Sequence, residues 1–174
     1  LGGYRYFRGA DVLEFTSHGY DGYIFDEDGN KIDFKGYRAD CITDFALEYI
    51  DKHEGDKPFF MFLSHIEPHH QNDRHCYEGF KETEDDYKGY PIPEDLKFLK
   101  SNYKKSYPDY LSAINRLDYN LGRLVSKLKE KNIGILITDH NVHETLCITD
   151  RAYMLFEGKV MFQGTAEVLA ENPI

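Results

Sequence analysis

Lys57-Pro58-Phe59-Phe60-Met61-Phe62-Leu63-Ser64-His65-Ile66-Glu67-Pro68-His69-His70-Gln71-Asn72-Asp73 is the stretch whose reading decides the fold. From Pro58 to Ser64 it is almost continuously apolar and does not alternate with polar residues. That pattern predicts a strand buried on both faces, as in the parallel sheet of an α/β protein. Polar, titratable residues follow at once. Such a cluster at the end of a buried strand marks an active-site loop in open α/β sheets.

The flanks support an α/β reading. Before the strand, residues 38–53 predict a helix, with Ile42, Phe45, Ala46, Tyr49 and Ile50 on one face and Gly55 as the stop. Residues 1–37 are rich in Gly, Asp, Tyr and Phe. Asp26-Glu27-Asp28-Gly29-Asn30 predicts a turn between Tyr23-Ile24-Phe25 and Lys31-Ile32-Asp33-Phe34, a short hairpin. The Asp-x-Asp-Gly run lacks the spacing and closing Glu of a calcium-binding EF-hand loop. After the strand, residues 74–107 are polar, with Pro91 and Pro93 breaking regular structure and one short helix expected near 94–103. A longer helix is expected to follow Pro108, with Leu111, Ile114, Leu117, Leu121, Leu124, Val125 and Leu128 as its apolar stripe. Gly134-Ile135-Leu136-Ile137-Thr138 predicts a second buried strand, again ending in polar residues, Asp139-His140-Asn141. Residues 142–149 predict a helix, Glu157-Gly158 a two-residue hairpin turn, and Thr165 the N-cap of a last helix.

The chain has 174 residues, with 41% apolar and 30% charged, ordinary values for a globular protein. A formal charge of -10 argues against nucleic acid as a partner, because phosphate binding needs a basic face. It leaves an anionic substrate open, since a local site can oppose the overall charge. The cysteines Cys41, Cys76 and Cys147 form no CxxC pair, against a zinc ribbon or thioredoxin-like site. No apolar run approaches transmembrane length. Leu1-Gly2-Gly3-Tyr4-Arg5-Tyr6 resembles neither a signal peptide nor an initiation segment, and the sequence reads as though it begins mid-protein.

Chemistry concentrates in His65, His69, His70 and His75. Imidazoles titrate near neutrality and donate hydrogen bonds when charged, so this cluster suits anion binding or proton transfer. His65 and His69 are four residues apart, but a zincin needs both on one helix with Glu beside the first His, and Pro68 forbids that helix. The plain alternative, strongest for His70 and His75, is exposed loop histidines without a role.

The stretch from Lys57 to His69, a buried strand closed by a Pro-His pair, resembles the central segment of the sulfatase family. The helix with Thr43-Asp44-Phe45-Ala46-Leu47-Glu48-Tyr49-Ile50 is similar to the one that family places before it. Tyr110-Leu111-Ser112-Ala113-Ile114-Asn115-Arg116-Leu117-Asp118-Tyr119-Asn120-Leu121-Gly122-Arg123-Leu124 resembles its later long helix. The resemblance implies an alkaline-phosphatase-like α/β fold and hydrolysis of a sulfate ester. The substrate would be a sulfated small molecule or glycan. In that family a Cys or Ser in a Cys/Ser-x-Pro/Ala-x-Arg motif becomes formylglycine and attacks sulfur, while calcium neutralises the sulfate oxygens. The resemblance gives His69 the catalytic position of the family's Pro-His histidine. His65, His69 and His70 become the substrate-binding candidates. None of Cys41, Cys76 and Cys147 stands in the formylglycine motif, and the N-terminal Asp-Asp metal pair is absent. The 174 residues alone are therefore expected not to turn over a sulfate ester.

The tail resembles a different family. Gly134-Ile135-Leu136-Ile137-Thr138-Asp139-His140-Asn141-Val142-His143-Glu144-Thr145-Leu146, then Thr149-Asp150-Arg151-Ala152-Tyr153 and Phe156-Glu157-Gly158-Lys159-Val160, is similar to the C-terminal part of an ABC-transporter ATPase of the lipopolysaccharide-export type. There His140 matches the switch histidine that touches the γ-phosphate. Yet no GxxxxGK[ST] phosphate loop appears, so productive binding of ATP and magnesium is not expected. Thr138-Asp139-His140-Asn141 also imitates the sulfatase family's Ser/Thr-Asp-His/Asn-Gly metal motif, with Asn141 in place of Gly, which makes Asp139 and His140 candidate calcium ligands. The resulting division is a sulfatase-like interior segment at 1–130 and an ABC-ATPase-like segment at 131–174. Localisation follows whichever family is taken: periplasmic or extracellular for a sulfatase, cytoplasmic beside ABC-transporter membrane subunits for the tail. A third alternative is a non-catalytic acidic protein that binds calcium or a sulfated glycan.

Overall fold

The computed structural model describes residues 3–10, 18–53, 57–70, 72–138 and 141–170. The chain divides into two compact units, residues 1–133 and 134–174. In the first, β1 (Arg8–Gly9), β2 (Tyr23–Asp26) and β3 (Lys31–Asp33) form an antiparallel sheet in that order, with Ile24 opposite Ile32. The expected turn joins β2 to β3. Asp26 accepts the backbone N–H groups of Asp28 at 3.0 Å and Asn30 at 2.8 Å, and Gly29 takes φ +84°, a left-handed conformation that glycine enters without a Cβ clash.

Helix α1 (Arg38–Lys52) buries Ala39, Thr43, Ala46 and Ile50, a stripe at helical spacing. Helix α2 (Tyr103–Glu130) begins five residues before Pro108 and contains that proline, which corrects the expected start. The first turn is held by Asn102, whose carbonyl accepts from Lys105 and Ser106 at 2.9 and 3.2 Å.

A polar seam joins the two helices. Arg116 grips Asp40 with two bonds of 2.7 and 2.8 Å, Asn120 donates to Asp40 at 2.8 Å, Arg123 pairs with Asp44, and Lys127 and Lys131 reach Asp51 at 3.3 and 3.1 Å. Partner numbers rise together along both helices, so the helices run in the same direction. The buried face of α2 is a second correction. The buried positions of α2 are Ser112, Ala113 and Asn120, while Ile114 and Leu121 of the expected apolar stripe are 39% and 58% exposed. The other five stripe residues, Leu111, Leu117, Leu124, Val125 and Leu128, are half-buried, so the charged seam shares this face of the helix with the apolar stripe.

Between the helices the chain crosses over. Tyr37, Ala39 and Phe80 form a small core with Tyr20 and Leu117 against it. Tyr37 donates to the Glu78 carbonyl at 2.9 Å and Tyr20 to that of Gly79 at 3.2 Å. Ser112 of α2 donates to the Phe80 carbonyl at 2.6 Å. Short 3-10 turns follow at Glu84–Tyr87 and Glu94–Phe98.

Neither predicted buried strand joins a ladder among the described residues. Residues 59–63 run extended with alternating burial. Phe59, Met61 and Leu63 are half-buried, and Phe60 and Phe62 are 74% and 72% exposed. Phe59 packs on Tyr49 and His53 of α1, with ring centroids 5.6 and 4.8 Å apart. One face is therefore covered by the helix and the other is open. A central parallel strand takes its hydrogen bonds from a neighbour on each side, and the described residues supply none. Residues 134–138 likewise join no ladder among the described residues, with Leu136 84% exposed.

In the second unit, α3 (Val142–Ile148) is capped by Asn141, whose side chain accepts from the Glu144 N–H at 3.4 Å. Strands β4 (Ala152–Phe156) and β5 (Lys159–Gly164) pair antiparallel. Glu157 and Gly158 take φ +46° and +75°, the primed turn that suits a two-residue hairpin. Helix α4 (Ala166–Ala170) starts after Thr165, whose side chain bonds Glu167 and lowers its carboxyl pKa. Among the described residues no helix is long and apolar enough to cross a membrane.

Gly79 supports the crossover by closeness alone. A Cβ there would lie 2.7 Å from the Asp109 Cα and 2.8 Å from its carbonyl oxygen. We expect Gly79→Ala to destabilise the first unit by about 1–3 kcal/mol through this overlap. Gly122→Ala, in a helical position with nothing within 4 Å, should stabilise it by about 0.5–1 kcal/mol. Urea denaturation followed by circular dichroism would read both, and equal midpoints for the two variants would contradict the packing described.

Candidate active site

The histidine segment leaves the extended run at Ser64 and turns back on itself. It is pinned to the start of α1 by two side-chain contacts. Arg38, the first residue of α1, donates to Glu67 at 2.8 Å, and the two side chains are only 3% and 4% exposed. The backbone N–H of Arg38 meanwhile bonds the Gly19 carbonyl at 2.7 Å. One turn further, Thr43 donates to the Ala39 carbonyl at 2.8 Å and lies 3.4 Å from Nε2 of His65.

This geometry selects the His65 tautomer. The Thr43 hydroxyl proton is already used, so Nε2–H of His65 donates to the Thr43 oxygen. Nδ1 then carries the lone pair, and it is buried with no partner among the described residues. A second proton would have to sit on Nδ1 without an acceptor. Burial accordingly lowers the His65 pKa from 6.5, although the nearby Glu67 carboxylate opposes it. His65 is half-buried, with Nε2 turned to Thr43 and its pKa held below the ordinary value by burial.

His69 and His70 sit at the exposed tip of the loop. The His69 N–H closes a turn on the Ile66 carbonyl at 3.0 Å. The His70 ring lies 5.6 Å from that of Tyr77, which in turn meets Tyr110 of α2 edge-on at 5.9 Å. Beyond them, Asn72 is 2% exposed. It donates to the Cys76 carbonyl at 2.7 Å and accepts from the Arg74 N–H at 3.0 Å. His75 takes φ +49° in that turn, and Asp73 ties the loop to His18 at 3.1 Å. The arrangement presents the imidazoles of His69 and His70 to solvent on a braced loop, able to donate to an oxyanion.

Asp139 and His140 lie outside the described residues, as does Gln71. Calcium takes about six to eight oxygen ligands. Among the described residues no group of three His, Cys, Asp or Glu side chains could hold a metal, so these residues do not by themselves fit a calcium site. Cys41 is a poor nucleophile, its thiol pushed up to about 11 by burial and by Asp44, Asp40 and Asp21. Cys76 is also raised by burial. Arg38 and Thr43, which brace the loop, were not singled out in the sequence. An Arg at a helix start carries no local mark of a partner 29 residues away.

Comparison with known proteins adds three observations. The family profile named Sulfatase matches residues 2–146. A solved chain from work on the metabolism of multiple glycosaminoglycans by Bacteroides thetaiotaomicron aligns with 75% of this chain and 28% of its own length, at TM-score 0.58 and 19% identity. That degree of likeness shows a fold shared with part of that chain. The C-terminal region matches lipopolysaccharide export system ATP-binding proteins LptB. The protein of Acidithiobacillus ferridurans is 48% identical over 52 residues, 30% of this chain and 22% of that protein. A sequence from Klebsiella oxytoca is 38% identical over 53 residues, 30% of this chain and 78% of its own length. The chain spans about a fifth of the Acidithiobacillus relative.

The braced loop makes two predictions. Glu67→Gln should destabilise the first unit by about 3–5 kcal/mol, because it removes the carboxylate from a buried ion pair. His65 has a lowered pKa in the folded chain. Its neutral form therefore adds no penalty above pH about 6.5, and stability declines as the pH falls below that value, where the unfolded chain binds the proton first. His65→Asn should flatten that part of the curve. Urea midpoints measured from pH about 7.5 down to about 5 would test this, and an unchanged slope in the variant would overturn the anchor role.

Proposed function

Because this chain belongs to the sulfatase family over residues 2–146 and carries in its C-terminal region a segment of the lipopolysaccharide-export ATP-binding family, we propose that residues 1–130 are an interior part of a sulfuric ester hydrolase and 131–174 an ABC-ATPase-like segment. The parent reaction is hydrolysis of a sulfate ester. His69 would act on the sulfate side of the substrate, with His70 beside it and His65 holding the loop from below. The observation that carries this reading is the buried Arg38–Glu67 pair, which fixes the loop while His69 and His70 remain exposed at its tip. Supporting it, the loop follows the extended, helix-backed residues 59–63. The substrate class we propose is a sulfated sugar or small molecule.

In the same reading Asp139 and His140 are the metal-side residues, carried by the motif Thr138-Asp139-His140-Asn141. Calcium would supply positive charge to the sulfate oxygens. No cysteine of this chain stands in the formylglycine motif, so we propose that these residues alone do not turn over substrate. Incubation with an aryl sulfate, with and without calcium, should release no phenol above the uncatalysed rate, and sustained release would overturn the claim. Titration with a sulfated monosaccharide, followed by the ring signals of His69, tests the substrate-side role. His69→Ala should abolish the binding, and unchanged affinity would count against it.

A second reading is favoured by the 48% identity of the tail to LptB: a nucleotide-binding fragment of a transporter ATPase, with His140 near the γ-phosphate. A ligand bound only by the folded state raises its melting temperature. Without a phosphate loop, ATP with magnesium should leave the thermal midpoint unchanged, and a dose-dependent rise would favour the second reading.

A further inference from the structure

Between Leu96 and Pro108 the chain carries Lys97, Lys100, Lys104 and Lys105 and no Asp or Glu, against a net charge of -10 overall. The fold gathers part of this stretch around an open depression of about 640 Å³ at the start of α2, lined by Leu99, Lys100, Lys104 and Lys105 and by no acidic side chain. We propose that this face docks on an anionic phospholipid bilayer, lying on its surface without crossing it.

The positive charge there is available. Lys97 pairs with Glu94, but Lys100, Lys104 and Lys105 form no ion pair among the described residues. Lys105 acts on Asp109 only from a distance, and that carboxylate accepts the Gly79 N–H at 3.2 Å. With Glu94 and Asp95 of the preceding turn counted in, the lysines still outnumber the carboxylates. Negative charge elsewhere on the chain is damped, because at physiological salt a charge more than about 8 Å away is largely screened. Each lysine held at an anionic surface strengthens binding about fivefold.

Apolar anchors stand beside the lysines. Phe98 is 84% exposed and Leu99 54%. The Leu99 N–H closes the 3-10 turn on the Leu96 carbonyl at 3.1 Å, so both side chains sit on a braced bend. A ring this exposed next to unpaired lysines fits the boundary between water and lipid. The ring enters the acyl edge, the lysine stems lie along it, and the ammonium groups meet phosphates. A soluble polyanion or free phosphate would use the lysines and leave Phe98 in water, which favours the bilayer as the occupant. The inference stands apart from the sulfatase reading and uses none of the histidines.

The chain has no Trp, so Phe98→Trp places a single fluorescent reporter at the point of entry without touching the core. With vesicles of phosphatidylcholine containing about 30% phosphatidylserine, its emission should shift to shorter wavelength and be quenched by bromine on the acyl chains. Pure phosphatidylcholine vesicles should leave it unshifted, and salt at about 0.5 M should release the chain from the anionic ones. In co-sedimentation of the complete chain with the anionic vesicles, Lys100→Gln combined with Lys104→Gln should weaken binding about twenty-five-fold. Phe98→Ser should weaken it about tenfold. Inorganic phosphate at about 10 mM should not displace the chain, since it barely changes the screening. The proposal is overturned by an unshifted Trp emission with anionic vesicles, by equal binding to neutral ones, by unchanged affinity in the lysine or the Phe98→Ser variant, or by displacement with phosphate, which would mark a free-anion site.

Discussion

The ion pair between Arg38 and Glu67 is the constraint on which the first unit depends. Both side chains are withdrawn from water, so neither can be left alone without a large desolvation cost. Arg38 also fixes Gly19 through its backbone, and two residues later Asp40 holds Arg116 and Asn120 of α2. One turn of helix therefore joins the N-terminal sheet region, the histidine loop and the second helix. The loop is positioned by side chains distant in sequence and not by a sheet ladder of its own.

Local elements were legible where their signal is local. The turn at Asp26–Asn30, the helix around residues 38–52 and the hairpin at Glu157-Gly158 each depend on neighbouring residues: a carboxylate that caps backbone N–H groups, an apolar stripe, two positions that accept a positive φ. What failed to read correctly depends on partners elsewhere. The apolar run at 59–63 announces burial, but burial of a strand needs neighbours, and α1 covers only one face. The apolar stripe of α2 is half-buried at Leu111, Leu117, Leu124, Val125 and Leu128 and exposed at Ile114 and Leu121, and the polar bonds of Arg116, Asn120, Arg123 and Lys127 to Asp40, Asp44 and Asp51 beside it depend on partners about 80 residues away. Of the three candidate histidines, His69 and His70 are exposed, and His65 is half-buried against Thr43, a contact between residues 22 apart that carries no local mark in the sequence.

The two family likenesses overlap at one short motif. The sulfatase profile reaches residue 146, while the compact division falls between 133 and 134. Thr138-Asp139-His140-Asn141 resembles a motif of each family, and so short a pattern does not by itself assign the segment to either.

The open face of residues 59–63 has a consequence for handling the protein. Phe60 and Phe62 are exposed in a segment whose backbone has no ladder partner among the described residues, the kind of edge on which a second molecule can zip. At neutral pH ten excess negative charges keep molecules apart. Near the isoelectric point of about 5.2 that mutual repulsion vanishes, and the ribbons are free to meet. Mildly acidic solutions are therefore where self-association through residues 59–63 is expected to be strongest.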